Sequence, residues 1–210
     1  MEEMFTQLLK QMKELTERFP QIAFGCTLSI AGRHTIRTDA TAFSTLHGTC
    51  SYHESRDFEV LRYCTQLEAL DIGHNDVTDL SFLTALPHLK VLILACNEHL
   101  GSIKPLSELK ELEYLELFSC NVRNIAPLKD LTNLVDLNIA YNNFSDYSVL
   151  FEMTSLRRLW IPQMGVYLNK AEMEKLQAAL PDTMIVNYGH PTANGWREGD
   201  HYETIYTIFH

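Results

Sequence analysis

Between Leu67 and Val166 the chain repeats itself, and this self-similarity constrains the fold more than any other feature. The copies read LEALDIGHNDVTDLSFLTALPH from Leu67, LKVLILACNEHLGSIKPLSELKE from Leu89, LEYLELFSCNVRNIAPLKDLTN from Leu112 and LVDLNIAYNNFSDYSVLFEMTS from Leu134. A partial fifth copy, LRRLWIPQMGV, begins at Leu156, so the starts are 22, 23, 22 and 22 residues apart. A fixed period of this length marks a repeat architecture, in which each copy is one small structural unit stacked on the last.

Each copy opens with L-x-x-L-x-[LI]. Alternating apolar residues in a short extended segment point to one side, and the intervening residues point to the other. Successive strands then stack as a parallel sheet over one continuous core. After the strand comes Asn75, Asn97, Cys120 or Asn142. A buried amide there bonds the backbone of its own turn and of the neighbouring copy, forming a ladder. The fifth copy has Met164 at this position, so the ladder is expected to end there. The second half of each copy supplies further inward residues, such as Val77, Leu80, Leu83 and Leu86, or Val122, Ile125, Leu128 and Leu131. Their spacing of about three suits 3₁₀ or short helical turns on the convex side. The extra residue of the second copy falls at Asn97–Gly101, where a convex bulge absorbs it.

These copies resemble the 22-residue internalin-type leucine-rich repeats of bacterial proteins. The I-x-P-L of Ile103, Pro105 and Leu106 and the I-A-P-L of Ile125 to Leu128 match that subtype. The stretch Gly195-Trp196-Arg197-Glu198 resembles flanks of uncharacterised leucine-rich-repeat proteins of Firmicutes. The resemblance implies an α/β fold: a curved leucine-rich-repeat solenoid with a parallel β-sheet on its concave face and 3₁₀ or short helices on its convex face. It also implies a bacterial protein whose concave face takes a protein or peptide ligand. It transfers no contact residues, because the x positions vary.

Caps are needed to close the ends of such a stack. Residues 1–44 read as an N-terminal cap: a helix with Phe5, Leu8, Met12, Leu15 and Phe19 on one face, stopped at Pro20, then a β-hairpin turning at Ala31–His34. Residues 45–166 are the repeats, with a degenerate first copy carrying Phe58, Leu61 and Cys64. Residues 167–188 form a C-terminal cap. There Asn169 and Glu172 make an N-x-x-E capping box, Leu168 and Met173 its staple, and a helix to Leu180 precedes a strand at Met184–Tyr188. Residues 189–210 contain Trp196, Tyr202, Ile205, Tyr206 and Phe209, too apolar for a free tail, and are expected to dock on the solenoid.

Composition narrows function. With 17 basic against 27 acidic residues and a net charge of −10, nucleic acids and anionic membranes are poor partners. No apolar run is long enough to insert in a membrane. Five cysteines without a C-x-x-C pair argue against disulfide and zinc frameworks. The N-terminus lacks the character of a signal peptide. A leader upstream of Met1 would place the protein at the bacterial surface, and its absence in the cytoplasm. None of the nine histidines lies in a metal or hydrolase motif. His74, His88 and His99 read as solvated, and no catalytic site or cofactor is expected.

The x residues of the strands map the concave face in columns: Asp71, Ile93, Glu116, Asn138, Trp160; Gly73, Ala95, Phe118, Ala140, Pro162; Ala69, Val91, Tyr114, Asp136, Arg158; and, at the edge, His74, Cys96, Ser119, Tyr141, Gln163. Positions that meet only water are polar, yet Ile93, Tyr114, Phe118, Tyr141 and Trp160 gather here. Aromatic residues bury large area with few rotors and are enriched in binding hot spots. The candidate protein-binding face is therefore Ile93, Tyr114, Glu116, Phe118, Tyr141, Arg158 and Trp160. Two alternatives stand beside it. In one, the tail folds back over this patch, making the chain a structural spacer or scaffold. Or the chain serves as an intracellular regulator of an enzyme, as a leucine-rich-repeat protein of the same period does for a phosphatase.

Overall fold

The computed structural model describes all residues except 1–6, 8, 9, 12, 13, 16, 20–24, 46–51, 163–167, 193 and 210. The L-x-x-L-x-[LI] motifs form strands β4 (Ala69–Asp71), β5 (Val91–Ile93), β6 (Tyr114–Glu116), β7 (Asp136–Asn138) and β8 (Arg158–Trp160). They lie side by side, all parallel, with Leu70, Leu92, Leu115, Leu137 and Leu159 in one register row. The sheet has seven strands, because β3 (Ala42–Ser44) pairs with β4 and β9 (Met184–Val186) pairs with β8. A separate antiparallel hairpin, β1 (Thr27–Ile30) and β2 (His34–Arg37), precedes the sheet and turns through Ala31 and Gly32. The sheet thus starts within the stretch expected to be cap alone.

Each repeat leaves its strand by the same sharp turn. His74, Cys96, Ser119 and Tyr141 take left-handed backbone angles, φ +55° to +61°. Such a conformation strains a side-chain-bearing residue by about 1 kcal/mol. Each is held there by its N–H, which donates sideways to the next repeat: His74 to the Ala95 carbonyl at 2.8 Å, Cys96 to Phe118 at 2.9 Å, Ser119 to Ala140 at 3.1 Å and Tyr141 to Pro162 at 2.7 Å. The ladder residue follows. Asn97 Oδ1 accepts the Val77 N–H at 2.9 Å, while its amide donates to the Ile72 and Leu94 carbonyls at 3.1 and 2.7 Å. Asn142 accepts from Cys120 and Val122 and donates to Leu117, Ile139 and Ala140. Where Cys120 replaces the amide, its thiol donates to the Leu94 carbonyl at 3.2 Å but offers no comparable acceptor. Met164 lies outside the described residues.

On the convex side the period-three residues form 3₁₀ turns at Ser81–Ala85, Lys104–Glu108, Ala126–Asp130 and Ser148–Glu152. Pro105 and Pro127 sit in the first turn of theirs, where a missing N–H costs nothing. A four-residue helix α1 (Ser55–Phe58) and a 3₁₀ turn at Glu59–Tyr63 fill the same layer ahead of β4. Gly101, at φ +64°, accommodates the extra residue of the second copy. All the inward residues named from the sequence, from Val77 to Leu131, are buried in one core running the length of the solenoid.

At the N-terminal end, the described residues between 7 and 18 are helical, and Leu15 is exposed rather than buried. Phe5, Leu8, Met12 and Pro20 lie outside the described residues. At the other end, α2 (Lys170–Ala179) carries both bonds of the Asn169–Glu172 capping box, at 2.8 and 3.0 Å. Its Leu176 and its C-cap residue Leu180 seal the core before β9. The last segment forms a further helix, α3 (Gly199–Ile208). It does not extend the stack. It lies against the concave face, and strands β4 to β7 are buried on both sides.

Candidate concave-face binding site

The concave face carries a second apolar cluster, distinct from the solenoid core. It joins Ala69, Val91, Ile93, Ala95, Tyr114, Phe118, Ala140, Trp160 and Val186 to Trp196 and Ile205 of the C-terminal segment. The strand register brings six of the seven candidate residues, Ile93, Tyr114, Glu116, Phe118, Arg158 and Trp160, into this region, and Tyr141 borders it. All lie where the alternation of the strand placed them, but Tyr114, Glu116 and Trp160 are no more than 1 % exposed. The cause is the C-terminal segment, which covers the patch.

Trp196 is the plug. Its ring sits 5.4 Å from Tyr114 and 5.1 Å from Trp160, centroid to centroid, and is itself wholly buried. The Arg158 guanidinium lies over it at 4.8 Å, a cation–π contact in a desolvated setting. Beneath the indole is Glu116, the polar centre of the site. Its Oε1 accepts from the Trp196 Nε1–H at 2.8 Å and the Tyr114 hydroxyl at 2.5 Å, and its Oε2 accepts from Arg197 Nη2 at 2.6 Å. A carboxylate that is fully buried must be paired and bonded, and this one is both. The Tyr114 hydroxyl is held well above its usual pKa by burial and by the Glu116 charge. Burial works to lower the pKa of Arg197, but the charge and bonds of Glu116 outweigh it, and the net direction is up.

Two more carboxylates stand in the same columns. Asp136 is chelated by Arg158, its register neighbour on β8, at 2.8 and 3.2 Å, and is paired with His201 of α3. Asp71 accepts the Gly73 N–H at 3.0 Å and the Ser44 hydroxyl at 3.4 Å, and among the described residues no cation pairs with it. Burial raises its pKa to about 6; the Gly73 bond opposes this and the Glu116 charge adds to it.

Three side chains of this region donate to the main chain of the covering segment. Arg158 donates to the Trp196 carbonyl at 3.1 Å and more weakly to that of Gly195 at 3.5 Å. Asn138 donates to the Pro191 carbonyl at 2.8 Å, and the Tyr141 hydroxyl to that of Gly189 at 3.1 Å. Asn138, Asp136 and Asp71 were seen in the sequence only as column members. Their polarity inside an apolar patch was the available signal, because a polar residue there needs a partner from outside the sheet.

The remaining chemistry does not converge. His99 faces Asp76 at 2.7 Å and His88 faces Glu111 at 3.3 Å, all on the surface. In the N-terminal region His53 is buried against His34 and Phe58, and its Nε2 has no partner among the described residues. A cleft of about 340 Å³ between the hairpin, β3 and the end of α3 is lined by His34, Thr35, Ala42, Phe43, Ser44, Ile208 and Phe209, with no carboxylate side chain among the described residues. No group of three or more metal-ligating side chains occurs among the described residues. No helix among them is long and apolar enough to cross a membrane.

A solenoid of this period, strand motif and amide ladder defines a class, and the chain is a leucine-rich-repeat protein. The family model for leucine-rich repeats (2 copies) matches residues 65–108. Three solved structures of bacterial proteins are similar to it. An internalin (inlF) of Listeria monocytogenes aligns at 25% identity and a TM-score of 0.53, over 61% of this chain and 43% of that one. A leucine-rich-repeat protein of Leptospira interrogans aligns at 25% identity and the same TM-score, over 61% of this chain and 33% of that one. Internalin C2 of Listeria monocytogenes aligns at 22% identity and a TM-score of 0.50, over 73% of this chain and 76% of its own. The chain therefore spans less than half the length of two of these three. No curated protein matches the sequence. Leucine-rich-repeat domains typically bind proteins and are usually non-catalytic.

Proposed function

We propose that this protein is a recognition module for a protein or peptide ligand, acting through its concave face and without catalysis. One observation carries the reading: that face already holds a polypeptide segment, and holds it partly by bonds to main-chain carbonyls that any peptide offers. The aromatic residues Tyr114, Phe118 and Trp160 supply the apolar area, and Glu116, Arg158 and Tyr141 the polarity, that mark binding centres. In this reading the C-terminal segment is the resident occupant, and a partner engages after the segment shifts.

A second reading has its own support. The completeness of the burial, with Glu116 and Trp160 at 0 % exposure, fits a spacer or scaffold whose concave face is closed for good. Affinity capture from the native organism separates the two. The baits are the wild-type chain, a tail-loosened chain (Trp196→Ala with Arg197→Ala), and the same chain with Phe118→Ser added, each verified as folded. A protein enriched by the second and lost by the third supports recognition. Equal capture by all three moves the binding surface elsewhere, and no capture by any folded bait supports the scaffold.

A further inference from the structure

The C-terminal segment is anchored unevenly. Within α3 only Ile205 is buried; Asp200, His201, Glu203, Thr204, Tyr206, Thr207 and Ile208 are exposed. Two residues just ahead of the helix's N-cap, Glu198, do most of the bonding. Trp196 and Arg197 both reach Glu116: the indole donates to Oε1 at 2.8 Å, and the guanidinium to Oε2 at 2.6 Å and more weakly to Oε1 at 3.4 Å. The indole is walled by Tyr114 and Trp160, and the guanidinium lies 5.7 Å over the Phe118 ring. Arg158 fixes the main chain between them through the Trp196 carbonyl. The link into this element carries left-handed φ angles at Gly189, Asn194 and Gly195, where the chain turns.

From this geometry we infer that the seat formed by Tyr114, Glu116, Phe118, Arg158 and Trp160 is specific for a tryptophan–arginine pair in a peptide chain. Its own Trp196–Arg197 is the occupant in cis, and the ligand in trans is a segment of a partner protein bearing the same pair. The inference rests on the concave-face reading above and adds the chemistry of the ligand. The pair is demanded jointly. A buried carboxylate needs a cation, and only arginine reaches it while stacking on an aromatic ring. The slot between Tyr114 and Trp160 holds a flat ring with a donor N–H at its edge; phenylalanine has no donor, and tyrosine carries its hydroxyl at the tip of a smaller ring. Glu116 left without them is a desolvated charge, so peptides lacking the pair are rejected rather than merely bound less well.

The test is a titration of a fluorescently labelled synthetic peptide of residues 189–210 onto full-length protein. A segment tethered by a short link has an effective concentration on the order of millimolar, so the wild type is expected to bind the free peptide at least ~100-fold more weakly than the Trp196→Ala, Arg197→Ala chain. Replacing either tryptophan or arginine in the peptide is expected to weaken binding to the loosened chain about tenfold or more. Should the double variant fail to fold, a protease site inserted after the exposed His190 allows the wild-type sequence to be nicked after folding. The bound fragment must then exchange with labelled peptide and not with peptide lacking tryptophan and arginine.

The inference is overturned if the folded, loosened chain ignores the peptide, or binds the substituted peptides equally. A random peptide library run on the same chain distinguishes the causes. Selected peptides without the pair, lost on Phe118→Ser, leave concave-face recognition standing and remove the tryptophan–arginine assignment. No selected peptide at all removes both. Wild-type chains found as dimers with exchanged tails overturn the partner-protein assignment, because the occupant is then a second copy.

Discussion

Trp196 donates its indole N–H to Glu116 across 80 positions of sequence, at 2.8 Å. The bond joins the C-terminal segment to the middle strand of the seven and turns the concave surface into an interior. Removing the acceptor leaves the indole, the Arg197 guanidinium and the Tyr114 hydroxyl without it. Glu116→Ala is expected to destabilise the chain by about 3 kcal/mol, the usual cost of breaking a buried pair from one side. Glu116→Gln keeps the shape and two acceptor lone pairs and is expected to cost less. Because the only two tryptophans are Trp160 and Trp196, acrylamide quenching reads the same contact. It should be low in the wild type and rise in Glu116→Ala before the main unfolding transition; quenching already as strong in the wild type as in urea would contradict a covered face.

Asp71 sets a pH dependence. Burial lifts its carboxyl from the ordinary 3.8 to about 6, so between these values the folded chain keeps a proton that the unfolded chain has released. Stability from this group is present below about pH 4 and is lost as pH rises through 6, a change of roughly 3 kcal/mol at most. Asp71→Asn should therefore be more stable than wild type at pH 7, with the difference vanishing near pH 4. Parallel denaturation curves of the two proteins across that window would disprove the assignment.

The amide ladder predicts a contrast between adjacent residues. Asn142 is buried and bonded to backbone groups of its own and the preceding repeat, whereas Asn143 is exposed and bonded to the Asn121 side chain at 2.8 Å. Asn142→Ala leaves several buried backbone groups unsatisfied and is expected to cost at least about 2 kcal/mol. Asn143→Ala should stay within about 0.5 kcal/mol, as surface changes do. Urea titration of the two variants checks the pair.

Thiol reactivity should follow depth. Burial pushes the Cys64 and Cys120 thiols up to about 12, so neither forms thiolate at neutral pH. Alkylation of the native protein, mapped by mass spectrometry, should modify Cys26 and Cys96, which are only partly buried, well before Cys64 and Cys120. Early labelling of Cys120 would show that the ladder opens on its own.

Much of the fold was legible because its rules are local. A 22-residue period, Leu70 and its equivalents at strand centres, the amide after each strand and the i,i+3 run from Val77 to Leu86 each report a neighbour one repeat away. The Asn169–Glu172 box was legible for the same reason. The column assignments also follow from strand alternation, so Tyr114, Glu116, Phe118 and Trp160 could be grouped on one face from the sequence.

The sequence by itself determined the solenoid and which side chains its concave surface presents, since a repeat fixes each contact by spacing alone. Only the tertiary structure decided what those side chains meet. Whether Glu116 faces water or Arg197, and whether Trp160 is a surface anchor or an interior ring, depends on where residues 189–210 come to rest. That segment lies outside the period. Its position follows from complementarity of charge and shape across 80 residues, which no local pattern encodes.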